Sequence, residues 1–180
     1  FVGFSLIGFL QSVPELFTNF GGHPMACGFS LKDANTLPDL KKKMIEKFLI
    51  DTAGLDVSPK LNIDEEIELD KIDWDLYDLL SKFEPFGQNN EKPKYLTRNL
   101  IVQSVEPVGK DGKHIRIMAC NGAKCIKKFV GWNMCNGNNG SNWCKNLSKG
   151  DKIDVVFEIS VNEWNGNREL QLTICDIKKL

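Results

Sequence analysis

Two runs of apolar residues at every second position limit most strongly what this chain can form. Ile153, Val155, Phe157, Ile159 and Val161 make the first run, and Leu170, Leu172 and Ile174 make the second, with Asn165-Gly166 between them. A period of two belongs to a strand with one buried face, and an Asn-Gly pair between two such runs takes the positive-φ turn of a β-hairpin. The end of the chain is therefore a hairpin with an apolar inner face.

The same signals continue upstream. Asp111-Gly112 marks a second hairpin, and strands are predicted at 100–108, 114–120, 125–132, 152–162 and 169–178. Five strands in about 85 residues is the count and size of an oligonucleotide-binding (OB) barrel. The alternating residues are then barrel core, and 97–180 forms one all-β domain.

The preceding half reads differently. Residues 4–20 are predicted as a short helical stretch, with Leu6, Phe9 and Leu10, then Leu16, Phe17 and Phe20 after a break at Pro14. GGHPMACGFSL follows at 21–31. Gly21 and Gly22 fit a turn with close backbone approach, His23 can donate to an anion, and Met25, Cys27, Phe29 and Leu31 alternate as a half-buried strand. A glycine pair and one histidine also serve as ordinary turn punctuation, so both readings stand on these residues alone.

Thr36 is placed to cap a helix with Pro38 in its first turn and a stripe of Leu37, Leu40, Met44, Ile45, Phe48 and Leu49, ended by Gly54. Residues 58–69 read as a strand or an extended linker. Asp70 then caps a second helix with the stripe Ile72, Leu76, Leu79, Leu80 and Phe83, which Pro85 stops. PFGQNNEKPKYL at 85–96 spells an ordered loop, by composition an interdomain linker.

Charge is unevenly spread. The net charge is −1, yet 64–84 holds nine acidic residues and two lysines, a balance of −7, while 110–128 carries six Lys and Arg against Asp111, a balance of +5. Two solvated faces of opposite sign would explain this. A polyanion, however, responds to the local field of Lys110, Lys113, Arg116, Lys124, Lys127 and Lys128 rather than to the total. An OB barrel that holds single strands needs such cations together with exposed aromatic faces for base stacking. Lys110, Lys113, His114, Arg116, Lys127 and Lys128 are the cationic candidates, and Phe129 and Trp132 the stacking ones. Phe129 also fits the core, and Trp164 also fits as cover for the Asn165-Gly166 hairpin.

The six cysteines include no CxxC pair, so a zinc ribbon is not expected and free thiols are, with Cys27 and Cys175 as small core residues. The Asn-, Gly- and Ser-rich stretch 133–150 is predicted as a long mobile loop. No apolar run reaches membrane-spanning length, and FVGFSLIGFL at the start lacks an initiator Met, a basic region and a cleavage site. It reads as the interior of a longer chain, cytoplasmic and without membrane association.

Three ordered motifs, the last made of two stretches, resemble one family. FTNFGGHPMACGFSL is similar to the glycine-histidine motif of the DHH-associated domain in RecJ-type single-strand exonucleases. LSKFEPFGQNNEKPKYL resembles the junction of those enzymes, where a PFGxGNPxP loop leads into an OB barrel. VGKDGKHIRIMA and GDKIDVVFEISVNEWNGNRELQLTICDI resemble that barrel itself. The chain departs from the junction pattern with Asn89 in place of a glycine and Glu91-Lys92 before Pro93.

The resemblance implies an α+β chain, with a partial α/β DHH-associated domain at 1–57, a connecting strand, helix and loop at 58–96, and a five-stranded OB-fold barrel at 97–180. It implies the single-strand-DNA-binding C-terminal part of a 5′-to-3′ exonuclease of DNA repair and recombination, acting as a monomer. Gly21, Gly22 and His23 would lie against substrate phosphate. Mn2+ or Mg2+ would be bound by an upstream DHH domain outside this chain, leaving no catalytic or metal-binding residue here and no activity in this segment alone. A stand-alone single-strand-binding or adaptor protein, and another DHH-family phosphodiesterase, are the alternatives.

Overall fold

A computed structural model describes residues 3–122, 125–137 and 142–180. Lys124 of the basic stretch, Phe1 and Val2 of the apolar start, and 138–141 of the Asn-rich stretch lie outside the described residues. The chain divides into two units, Phe1–Lys60 and Leu61–Leu180.

In the first unit, helix α1 (Leu6–Ser12) begins at Ser5, whose hydroxyl accepts the Gly8 N–H at 3.2 Å. A single 3-10 turn, Pro14–Leu16, leads into β1 (Phe17–His23), which pairs antiparallel with β2 (Ala26–Leu31). The expected helical continuation through Phe17 and Phe20 is thus overturned. Spaced three apart, these residues fit a helix by pattern, but Phe17 buries its ring against Phe20 and Phe29 at 5.5 and 5.2 Å, and the backbone bonds to β2. The turn also differs from expectation. Gly21 and Gly22 lie within β1, and Pro24 and Met25 make the reversal, leaving Met25 exposed while Cys27 and Leu31 pack inward.

Helix α2 (Leu37–Asp51) carries Pro38 in its first turn, where a missing N–H costs nothing. Thr36 does not cap it through its side chain. Its hydroxyl donates to the Asp33 carbonyl at 2.6 Å, and Asp33 caps the preceding 3-10 turn by accepting the Asn35 N–H at 2.9 Å. Of the predicted stripe, Leu40 is buried against Phe9, Leu10 and Phe17, while Ile45 and Leu49 remain exposed.

The second unit is a closed barrel. Its elements are β3 (Glu65–Glu66), α3 (Trp74–Ser81), β4 (Lys94–Val108), β5 (His114–Cys120), β6 (Ile126–Gly131), α4 (Trp143–Asn146), β7 (Lys152–Trp164) and β8 (Asn167–Lys179). The order β4-β5-β6-β8-β7 closes where β7 pairs back on β4, and β3 adds a short parallel pairing to β4. All contacts between barrel strands are antiparallel except β6 with β8. This five-stranded closure is the OB fold.

One strand serves two neighbours because it bends. β4 pairs with β7 through its first half and with β5 through its second, with register shifts at 97/100 and 102/104. At the first shift Asn99 takes φ 55° and donates its N–H to the buried Asp154 carboxylate at 2.9 Å, which also meets Arg98. That pairing satisfies a carboxylate which would otherwise be costly inside the sheet.

The interior is filled by the predicted alternation: Ile153, Val155, Phe157, Ile159 and Leu172 are buried together with Leu100, Val102, Ile115, Ile117 and Phe129. Ile72 and Leu69 pack against that core ahead of α3, with Leu76 and Leu80 partly buried beside them. The cap of α3 is Asp73, accepting the Leu76 N–H at 2.9 Å, in place of Asp70, which lies in the 3-10 turn Leu69–Lys71. Ile72 must point into the barrel, so the helix starts after it.

The junction loop is ordered, as expected, but it is shorter than 85–96, because Lys94, Tyr95 and Leu96 already belong to β4 and pair with β7. The Asn90 side-chain amide donates to the Phe83 and Pro85 carbonyls at 2.9 and 3.0 Å, and Gly87 and Asn90 exchange backbone bonds. Asn89, where the RecJ pattern has glycine, takes φ 65°, the left-handed conformation that asparagine tolerates best after glycine.

Within 133–150 the described flanks are tied down. Cys135 and Cys144 form a disulfide, which corrects the expectation of free thiols throughout. The Cys135 N–H bonds to Lys113 O and the Trp143 N–H to Met134 O, both at 2.9 Å, and α4 is capped by Asn142.

Candidate nucleic-acid interface

The glycine-histidine motif occupies the end of the first hairpin. Gly22 has φ 143°, and a Cβ there would collide with the Ala26 carbonyl and stand 2.7 Å from Cys27 Cα, so the close approach of β1 to β2 requires glycine. Gly21 faces Gly28 across the pair, and neither carries a Cβ. With Asn19, Phe20, Phe29 and Ser30 they line a shallow depression of about 260 Å³. His23 is the exposed last residue of β1, its carbonyl accepting the Cys27 thiol at 3.1 Å.

The barrel candidates lie along the ladder of β5 and β6, the strand pair that OB folds commonly use with their neighbouring loops to hold oligonucleotides. Its register pairs Ile115 with Gly131, Arg116 with Val130 and Met118 with Lys128. Alternation sends Ile115, Ile117 and Phe129 inward and leaves Arg116, Met118 and Lys128 outside. Phe129 is fully buried, edge-on to Phe157 at 5.4 Å, which settles it as core.

At one end stand Lys110, Lys113, His114 and Trp132. His114 Nδ1 accepts the Asn133 N–H at 2.9 Å, and its ring packs over Gly109, where a Cβ would come within 2.8 Å of it. Trp132 follows β6 and keeps 53% of its surface exposed beside that ring. Gly131 makes room there for Met134 to lie over Ile115, since a Cβ would overlap both. Lys113 is paired with Asp111 at 2.7 Å, and Lys110 is exposed in the same turn.

Arg116, in the middle, lies 3.6 Å from Glu106 on β4. At the other end, about 13 Å away at the usual rise per strand residue, are Lys127 and Lys128. The Lys127 ammonium donates to the Ile72 carbonyl at 2.7 Å, and Lys128 pairs with Glu169 on β8. Most of the predicted cations are therefore held by partners at the surface, in exchangeable contacts that add little to stability.

The structure adds two residues that composition conceals. Trp74, at the start of α3, stands beside Lys127 and Lys128, and the Arg168 guanidinium lies over its indole at 5.3 Å. Trp74 sits in the most acidic stretch of the chain, which hides it from a search for basic patches. The signal available in the sequence is Arg168, just beyond the Asn165-Gly166 turn.

Among the described residues, no three His, Cys, Asp or Glu side chains converge as a metal site. None of its described helices is long and apolar enough to cross a membrane.

Two exonucleases of known sequence and one of known structure resemble this chain. The single-stranded-DNA-specific exonuclease RecJ of Bacillus subtilis is 29% identical over 174 residues, covering 97% of this chain and 21% of that protein. RecJ of Salmonella typhimurium is 25% identical over 168 residues, covering 91% and 27%. This chain thus spans about a quarter of the length of the curated relatives it matches. The crystal structure of RecJ in complex with Mn2+ from Thermus thermophilus superposes on all of the chain with a TM-score of 0.71 at 20% identity, over 24% of its own length, and shares its fold. The family model of the RecJ OB domain matches residues 63–176, nearly the whole second unit, and the chain belongs to that family.

Proposed function

We propose that this chain is the single-strand-DNA-binding C-terminal portion of a RecJ-like 5′-to-3′ exonuclease of DNA repair and recombination in the cytoplasm. The observation that carries the reading is the β5–β6 face of the barrel. It presents an exposed tryptophan and cations at one end, and further cations beside a second tryptophan at the other. Such a face attracts phosphates without sequence preference and offers π-surfaces to unpaired bases, which a duplex keeps stacked inside.

In this reading the first unit is part of a DHH-associated domain, and Gly21, Gly22 and His23 contact a substrate phosphate. The depression at Gly21 and Gly28 supports that role, because neither glycine has a side chain to hold a phosphate away from the backbone between them. Bond cleavage belongs to a Mn2+- or Mg2+-dependent DHH domain elsewhere in the full protein, and the protein acts as a monomer.

The test is equilibrium binding of the 180-residue chain to a labelled single strand of about twenty nucleotides and to the matching duplex, at low and high salt. Preference for the single strand, weakening as salt rises, is expected. Equal affinity for both, or affinity indifferent to salt, refutes the reading.

A further inference from the structure

The parallel contact of β6 with β8 is confined to Phe129 with Leu172 and Val130 with Thr173. Upstream of those pairs the two strands separate. The opening is a cleft of about 470 Å³ with Lys127 and Lys128 on the β6 side, Arg168 and Glu169 on the β8 side, and Trp74 at its end.

We infer that this cleft is a nucleobase-stacking subsite built on Trp74, with Arg168 and Lys128 as its phosphate contacts; this rests on the single-strand-binding reading above. Three observations meet there. Trp74 keeps 39% of its surface exposed, although it opens a helix packed on the barrel. Tyr77 meets it edge-on at 5.9 Å, so the ring is braced from its own helix. Its face is covered by a guanidinium, a planar cation that stacks on indole and can equally stack on a base or reach a phosphate.

The charges are arranged for exchange. Lys127, Lys128 and Arg168 face two carboxylates, of which Asp73 accepts the Leu76 N–H at the start of α3. The other, Glu169, pairs with Lys128, while Arg168 also lies 4.0 Å from Glu163 across the β7–β8 hairpin. A phosphodiester entering the cleft takes over the position of Glu169 beside Lys128. A base can then slide between the Trp74 indole and the Arg168 guanidinium. Glu169 is accordingly a built-in competitor for the DNA backbone.

Fluorescence polarisation of the full 180-residue chain tests this, using a labelled thymidylate oligonucleotide of about fifteen residues and an abasic strand of the same length. Trp74→Ala should weaken thymidylate binding about five-fold or more while changing abasic binding little, and Glu169→Gln should tighten both. Trp74→Phe and Trp74→Leu keep bulk at the position and differ in the π-face, so Phe should bind better than Leu even if Ala unfolds. Equal affinities of Trp74→Phe and Trp74→Leu, with Trp132→Ala impaired, overturn the subsite and leave the single-strand reading standing. Failure of the unaltered chain to bind either strand overturns both.

Discussion

The imidazole of His114 meets the indole of Trp132 edge to face, with ring centroids 4.9 Å apart and planes at 79°. The contact joins the start of β5 to the turn after β6 and braces the tryptophan against the imidazole. In the reading proposed above, Trp132→Ala lowers affinity for a single-stranded oligonucleotide by about 1 to 3 kcal/mol, and Trp132→Phe recovers most of it. Because the side chain is largely exposed, the unfolding midpoint should move little. Titration of both variants, with urea melts alongside, checks this; a large loss of stability with unchanged affinity would make Trp132 a packing residue.

Gly22 makes the opposite kind of prediction. Its φ of 143° and the collision of a Cβ with Ala26 make Gly22→Ala destabilising by about 1 to 3 kcal/mol. Gly21→Ala has open space and should leave the fold intact. If Gly21 and Gly22 admit a phosphate, Gly21→Ala nevertheless reduces turnover in the full-length enzyme, by filling the depression. Melting curves of the two variants and exonuclease assays of the complete protein separate a glycine needed for the fold from one needed, in the proposed reading, for substrate contact.

Phe129 is open to two readings in the sequence, and burial decides between them. With its ring enclosed by the barrel core and edge-on to Phe157, Phe129→Ala should cost about 3 to 5 kcal/mol of stability. Its effect on binding should vanish once measured under conditions where the variant is folded. A stable Phe129→Ala chain with weakened binding would contradict that placement.

Most of the barrel is legible because its strands announce themselves locally, the exception being the start of β4 at 94–96, which reads as loop and becomes strand by pairing with β7. Alternation at 153–161 and 170–174 and the positive-φ pairs at the turns are properties of neighbouring residues, and β5 falls on its expected bounds. β1 is not legible, since Phe17 and Phe20 share their spacing with a helix and become a strand only by pairing with residues 26–31. Asp70 is the cap expected from the pattern, and the burial of Ile72 in the barrel moves the helix start to Asp73. Trp74 becomes visible as a site residue only when β8 is placed beside β6, which brings Lys128 and Arg168 to the two sides of one cleft. The Asn89 substitution, by contrast, is understood from backbone preference alone.

Cys175 gives a prediction in pH. Burial, and after it the Glu158 carboxylate, push its thiol up to about 11 from the ordinary 9.0, while Lys94 pulls the other way. The unfolded chain therefore releases this proton first. Between pH 9.0 and about 11 the unfolded state is favoured by that release, so the contribution of Cys175 to stability falls as pH rises and is unaffected below the range. Cys175→Ser removes the titration. The difference in unfolding free energy between the variant and the unaltered chain should stay constant up to pH 9.0 and then shift steadily in the variant's favour. Urea unfolding of both proteins at a series of alkaline pH values measures that difference directly. A difference that does not vary with pH would mean that the thiol ionises in the folded barrel as readily as in the unfolded chain.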